Sequence, residues 1–385
     1  VNFRVLTIGL SLRKLIKQIN LFHTMNIYQI RRGLDVDTEL FIREDTTDSF
    51  IYRDIKEKLE VTKEFIDTYR TRWDGAKKQI NEYEYIYTST NPKKNICSVV
   101  PISRSYFKLR EIMYDLRLTC DDNIACVAEA PGGFIQSLLD MFHYRIHKIS
   151  AITLLSENKD IPYWNNSLLV HEKVFLSSGN DNTGNLYKAK NLLHFINEVK
   201  KSSCSLVTAD GGFDYSENFN NQEYVSYQLI YSEVFLALSL LKEGGTFICK
   251  IFDIFTIHTL QLIYLLYQSF NEIMFIKPVT SRLTNSEKYI ICKGYKGYNK
   301  DKSNLMFSLL LQDKIYELSL DIPLSFYNEI QKYNLSFTNE QIKIIQKAIY
   351  HARSRNISHH PTYKQIKSGK AWCKKYELPI NELFR

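Results

Sequence analysis

One stretch, Cys126-Val127-Ala128-Glu129-Ala130-Pro131-Gly132-Gly133-Phe134, limits what this chain can fold into more than any other. Ile124, Cys126 and Val127 have the apolar, β-favouring character of a central strand. Gly132 and Gly133 carry no Cβ, so the backbone there can be approached closely. The apolar run 134–142 then reads as a helix, and its first N–H groups, having no intrahelical partners, favour a polar or anionic ligand. The spacing A-P-G-G-F is not the dinucleotide fingerprint G-x-G-x-x-G. Two readings stand: a cradle for a nucleoside-like cofactor, or an ordinary strand-to-helix turn.

Strand-like and helix-like runs alternate on either side of this stretch. Helical spacing predicts a helix over 105–118, with Ser103 or Ser105 as its cap and Lys108 beside its apolar face. Strands are predicted near 148–154 and 171–176, over 205–209 and over 246–252, with a final pair at 273–277 and 288–293. Helices are predicted over 186–200, 222–241 and 257–270. This alternation implies an α/β fold with a mainly parallel sheet, and the adjacent last two strands imply one antiparallel edge. The architecture suits a class I methyltransferase sheet, although a fold by itself does not give function.

At 385 residues the chain exceeds one typical domain. Residues 1–24 carry an apolar run flanked by basic residues before the first methionine, Met25. A targeting segment, an amphipathic helix or translated sequence upstream of Met25 would each account for it. Residues 25–95 read as a charged helical extension, with Ile55, Leu59, Phe65, Ile66 and Tyr69 at helical spacing. Residues 96–298 hold the α/β domain and 299–385 a basic helical extension. The seven cysteines are scattered without a C-x-x-C pair, which points away from a zinc site and towards a reducing, intracellular compartment. No apolar run is long enough to span a membrane. The net charge of +8 favours an acidic partner such as nucleic acid. The charge concentrates in residues 331–385, which hold eleven Lys/Arg against three Asp/Glu. Tyr333, Tyr350, Tyr363, Trp372 and Tyr376, with His351, His359 and His360, are interspersed among them. Such a tail can follow a phosphate backbone and stack on bases, or it can be a helix with a solvated basic face.

Two further residues stand out by position. Asp210 follows the apolar run Leu206-Val207-Thr208-Ala209, at the carboxyl end of a strand, where open α/β sheets bind ligands. Lys250 lies inside the strand T-F-I-C-K-I-F, where an unpaired ammonium is costly, so it requires partners. The ordered set E-A-P-G-G-F (129–134), D-N-T-G-N (181–185), L-V-T-A-D-G (206–211), G-G-T-F-I-C-K-I-F (244–252) and K-P-V-T-S-R-x-x-N-S-E-x-Y (277–289) resembles the FtsJ-like (RrmJ-like) RNA 2′-O-methyltransferases. Within that group it is most similar to the Adrift-type branch, which includes the eukaryotic cap-2 methyltransferase and proteins of large DNA viruses. The resemblance covers roughly residues 100–298, and W-D-G-A-K-K at 73–78 extends it forward.

The resemblance implies a Rossmann-like class I methyltransferase with a seven-stranded sheet and one antiparallel edge strand. It implies S-adenosylmethionine as cofactor and the catalytic tetrad Lys108, Asp210, Lys250 and Glu287, with no metal. Glu129, Ala130, Pro131, Gly132, Gly133 and Phe134 would line the cofactor site. Thr153 and Asp181 would lie near its ribose and adenine, and Asp210 near its methionine end. The implied substrate is the capped 5′ end of an mRNA, with the capping or transcription machinery as further partners. Whether Lys250 acts as a base or only orients the 2′-oxygen stays open. So does the choice of the first or second transcribed nucleotide, and so does oligomeric state. Ribosomal or transfer RNA methylation and a catalytically silent RNA-binding scaffold are the competing functions. The Asn/Ile/Lys/Tyr-rich composition suits an AT-rich genome, such as that of a large cytoplasmic virus or a protist; the chain would then work in cytoplasm or virion, or in nucleus or cytoplasm if cellular.

Overall fold

The computed structural model describes residues 26–36, 39–40, 50–213, 220–354, 357–358 and 360–385. The segment 1–24, Met25 and His359 lie outside the described residues. Eight strands form one sheet: β1 (Asn26–Gln29), β2 (Asp122–Val127), β3 (Ile146–Ile152), β4 (Val174–Ser177), β5 (Cys204–Ala209), β6 (Leu241–Ile251), β7 (Phe270–Lys277) and β8 (Lys288–Tyr295). Their spatial order is β1-β7-β8-β6-β5-β2-β3-β4. The pairs β2–β3, β2–β5, β3–β4 and β5–β6 are parallel. The pairs β6–β8, β7–β8 and β1–β7 are antiparallel.

The expected mainly parallel sheet is therefore present, with two differences. It has eight strands rather than seven, because Asn26–Gln29 pairs with β7 instead of joining a helical extension. The antiparallel strand β8 lies inside the sheet between β6 and β7, so the antiparallel edge is β1. A four-residue edge strand carries too little periodicity to be read from sequence.

Central strands alternate their buried side chains between two cores. Ala125 and Val127 face one, packed by α6 (Ala189–Val199), α7 (Gln222–Leu240) and α8 (Ile257–Ser269). Ile124 and Cys126 face the other, packed by α3 (Ser105–Asp115) and α4 (Gly133–Phe142). All seven cysteines are buried and free. No helix among the described residues is long and apolar enough to cross a membrane.

Before the sheet, the helical spacing read at Ile55 to Tyr69 is realised as α1 (Arg53–Asp67), followed by α2 (Arg70–Ile80). A short turn, α5 (Asn166–Leu169), precedes β4. After the sheet come α9 (Lys300–Leu311), α10 (Leu324–Ser354) and α11 (Tyr363–Lys375). Of the two readings of the tail, base-stacking aromatics or a helix with a solvated basic face, the first is narrowed by the structure. Tyr333, Trp372 and Tyr376 are buried, and Tyr333 stacks on Phe275 of β7 with centroids 4.1 Å apart. Of the five Tyr and Trp residues in that set, Tyr350 and Tyr363 are exposed. Burial of large aromatic area outweighs solvent contact wherever a helix finds an apolar surface to cover.

Candidate active site

A cavity of about 750 Å³ opens across the carboxyl ends of β2, β3, β5 and β6. The strand ends face it because every parallel strand here is followed by a crossover that turns the chain at this edge. Leu154, Ile161, Pro162, Leu186 and Tyr187 make one end apolar. Ala128, Ala130, Pro131, Asp210, Gly211, Gly212 and Lys250 also line it, as do Arg104, Asn285 and Glu287.

Four segments distant in sequence bring their charged groups together here. The Lys108 amine lies 2.7 Å from Glu287 Oε1 and 2.9 Å from Oε2. The Lys250 amine donates to the Asp210 backbone oxygen at 2.8 Å and lies 3.3 Å from Asp210 Oδ1. All four side chains are mostly buried, with 11–14% of their surface exposed. Burial alone would lower the Lys250 amine; the carboxylates of Asp210, Glu287 and Glu233 outweigh it and hold the amine above the usual lysine range. Burial alone would raise Glu287; Lys108, Lys250 and Lys277 outweigh it and hold that carboxyl well below the usual range. The cluster thus holds two cations and a firmly ionised carboxylate out of bulk solvent, which suits orienting a poor nucleophile.

The glycine turn serves a different purpose from the one its pattern suggests. A Cβ on Gly132, at φ 111°, would meet Leu168 Cδ1 at 2.1 Å, and one on Gly133 would meet Ser103 Oγ at 2.2 Å. The protein's own side chains make the close approach, and neither glycine lines the cavity. Nor does either serine cap α3; their hydroxyls pair with each other at 2.6 Å above Gly133. Ala130, Pro131 and Thr153 do line the cavity. Phe134 is fully buried, its ring 5.9 Å from that of Tyr289. Glu129 is buried with neither carboxyl oxygen hydrogen-bonded, and burial pushes its pKa well above the usual range.

Asp181 also stands back from the cavity. Its Oδ1 accepts from Thr183 N at 3.1 Å, Thr183 Oγ1 at 2.6 Å and Asn191 Nδ2 at 2.9 Å, and its Oδ2 from Lys188 Nζ at 2.7 Å. Held by Thr183, Lys188 and Asn191, Asp181 shapes the segment that presents Asn185, Leu186 and Tyr187 to the cavity. The loop docks on β3's end through Leu155 N to Thr183 O at 2.7 Å.

Sequence reasoning missed three residues. Tyr289 donates from its hydroxyl to Asp210 Oδ1 at 2.8 Å. It stands two positions from Glu287, so the period-two alternation of β8 was an available signal. Glu233 lies behind Gly211 and Cys249, where burial pushes its carboxyl up to about 8. A glutamate amid the largely apolar residues 229–241, most of them in α7, was its signal. Lys277 donates to Asn285 O at 2.7 Å and Glu287 O at 2.5 Å, and also to Asn285 Oδ1; burial pushes it down to about 7. Among the described residues, no group of three His, Cys, Asp or Glu is placed to hold a metal.

A family model described as FtsJ-like methyltransferase matches residues 101–295. The cap-specific mRNA (nucleoside-2′-O-)-methyltransferase 1 of Ailuropoda melanoleuca is 33% identical over 227 residues, 57% of this chain and 27% of that protein. The protein of the same name from Danio rerio is 31% identical over 303 residues, 74% of this chain and 35% of that protein. That from Dictyostelium discoideum is 40% identical over 124 residues, 31% of this chain and 16% of that protein. This chain spans at most about a third of the length of these relatives. A solved structure of a ribosomal RNA methyltransferase, putative, from Plasmodium falciparum aligns with 22% identity and a TM-score of 0.38, covering 51% of this chain and 99% of that one.

Proposed function

The chain belongs to the FtsJ-like methyltransferase family, and we propose that it transfers a methyl group from S-adenosylmethionine to the ribose 2′-hydroxyl of a cap-proximal nucleotide of mRNA. Asp210, Lys250 and Glu287 line one cavity with Lys108 ion-paired to Glu287, and this arrangement carries the reading. The printed names of the relatives supply the capped substrate. Within the family we keep the Adrift-type branch as our reading, on the E-A-P-G-G-F and S-E-x-Y stretches. The reading places the methylated ribose at the first or second transcribed nucleotide.

The cavity suits the cofactor. Its volume of about 750 Å³ falls in the range of roughly 300–1,000 Å³ usual for small-molecule sites. An apolar end beside Tyr187 accepts a purine, and Asp210 offers a carboxylate near the glycine turn for an amino-acid end. When bound, the cofactor supplies an electrophilic methyl group on a sulfonium. Lys108 and Glu287 fix each other where the ribose enters. Lys250 orients the 2′-oxygen towards the middle of the cavity. For Lys250 to take the hydroxyl proton it must first lose its own, which the carboxylates of Asp210 and Glu287 oppose. Cation binding against Asp210 offsets part of that field and brings the amine nearer its working range. Exposed Lys343, Lys347 and Tyr350 on α10, with Tyr363, Lys364 and Lys367 on α11, offer phosphate contacts and stacking to the rest of the RNA.

The test is methyl transfer from labelled S-adenosylmethionine to three short RNAs: uncapped, capped without ribose methylation, and capped with the first ribose methylated. Wild type is expected to label capped RNA only. Lys250→Ala is expected to lose transfer while still binding the cofactor. Near-normal turnover in Lys250→Ala would sink the site assignment, and equal labelling of uncapped RNA would move the substrate to ribosomal or transfer RNA.

A further inference from the structure

We propose that the helices outside the catalytic sheet hold the Glu287 loop in its working position, with Lys63 on α1 and Gln341 on α10 as positioning residues that meet at Ser286. The inference rests on the reading of Glu287 as part of the methyl-transfer site.

Both residues lie outside the span 101–295 that matches the family model. Gln341 is 5% exposed, and its side-chain amide donates to Thr284 O at 3.1 Å and to Ser286 Oγ at 3.3 Å. From the other side, the Lys63 amine donates to Ser286 Oγ at 3.4 Å. Lys277 binds the carbonyls of Asn285 and Glu287 from below. Every residue from Thr284 to Glu287 is therefore held by a side chain from outside the loop.

The chemistry of the holders argues for a purpose beyond packing. A buried amide costs free energy unless its hydrogen bonds are made. Leu283, Phe337 and Ile344 line a small pocket together with Gln341 and Ser286, so apolar side chains are already present at this spot. Lys63, with 9% of its side chain exposed, buries an ammonium beside Asp253 at 3.9 Å. Asp253 is shared with Lys288, the residue after Glu287, at 2.9 Å. Burial pushes the Lys63 amine down despite Asp253. The site bears that cost where the loop needs a fixed position. Glu287 must stay within 2.7 Å of Lys108, on a helix from a different part of the sheet. The opposite end of the same loop is held by Glu111, which accepts from Val279 N at 2.6 Å and Thr280 Oγ1 at 3.0 Å. With that end pinned, freedom at Ser286 converts directly into displacement of the Glu287 carboxylate.

The experiment uses the full chain and measures kcat, KM for capped RNA, cofactor Kd and Tm for Gln341→Met, Lys63→Met, Ser286→Ala and Glu287→Ala. Asn339→Ala, an exposed change on the same helix, is the control. Misplacement of a reacting group by about 1 Å can cost on the order of 100-fold, so kcat is expected to fall at least tenfold in Gln341→Met and Lys63→Met. Cofactor Kd should stay within about twofold and Asn339→Ala should match wild type. Gln341→Met combined with Ser286→Ala should lose less than the product of the two single losses, because the two variants share the Gln341–Ser286 contact. If Gln341→Met fails to fold, Lys63→Met decides. Wild-type kcat in both folded variants, alongside an inactive Glu287→Ala, overturns the inference and leaves the site reading intact. An active Glu287→Ala overturns the site reading, and this inference with it.

Discussion

Tyr289→Phe isolates one hydrogen bond at the centre of the site. The tyrosine is fully buried in β8, and its hydroxyl donates to Asp210 Oδ1 at 2.8 Å. Burial, then Asp210 and Glu287, push the phenol well above its usual range, so it remains a donor at any working pH. Phenylalanine keeps the ring and its contact with Phe134 at 5.9 Å. A hydrogen bond to a charged group contributes about 1.5–3 kcal/mol. At roughly 1.4 kcal/mol per factor of ten, its loss corresponds to a 10- to 150-fold effect if felt entirely in the transition state. Asp210 keeps Lys250 at 3.3 Å, which offsets part of the loss. The expected outcome is therefore near the lower end, about a tenfold fall in kcat. Cofactor affinity should change less, because the Asp210 carboxylate remains. Steady-state methyl transfer to capped RNA, paired with calorimetric titration of the cofactor, measures both. A Tyr289→Phe enzyme with kcat within twofold of wild type would refute the claim that this hydroxyl sets the geometry of Asp210 and Lys250.

Two further outcomes are expected. Gly184 has φ 58°, and a Cβ there would lie 1.9 Å from Thr153 O. Gly184→Ala should therefore lift the loop off β3 and weaken cofactor binding at least about tenfold, the left-handed backbone alone costing roughly 1–2 kcal/mol; an unchanged Kd counts against the docking role given to this loop. Glu84, fully buried, accepts from Arg282 at 2.8 and 3.0 Å, with Arg104 at 3.7 Å. Burial would raise its carboxyl, but Arg282 and Arg104 outweigh it and hold it below the usual range. Its stabilisation is thus present above the unfolded-state pKa of about 4.3 and lost as pH falls through the lower folded value. Breaking a buried pair costs about 3–5 kcal/mol, and the part-exposed Arg282 moves the estimate for Glu84→Gln towards the low end. The Tm gap between Glu84→Gln and wild type should be large at pH 7 and narrow towards pH 3; a constant gap contradicts the ionised assignment.

Much of the fold was legible. The predicted helices at 186–200, 222–241 and 257–270 correspond to α6, α7 and α8, and the final strand pair to β7 and β8. These runs are long or strongly apolar, so their local pattern dominates. The four charged residues of the site were named from their motifs, and the structure joins them in two pairs. Asp181, expected near the cofactor, accepts from Thr183, Lys188 and Asn191, a set of partners that the D-N-T-G-N pattern shows only for Thr183. The glycine turn was located correctly, yet its glycines are required by Leu168, Ser103 and Ser105.

The sequence by itself determined the α/β class and the strand–turn–helix at 126–134, while the four charged groups were named by resemblance to a family. Hydrophobic period and turn chemistry are local properties that a chain cannot hide. Only the tertiary structure decided that Asn26–Gln29 closes the sheet edge, and that Tyr333, Trp372 and Tyr376 are core rather than RNA-facing. It also decided that Tyr289, Lys63 and Gln341 surround the site. Lys63 and Gln341 touch Ser286 from 223 and 55 residues away. A polar residue on an amphipathic helix has the same local pattern whether it meets water or a catalytic loop, and only the packing of distant segments determines which.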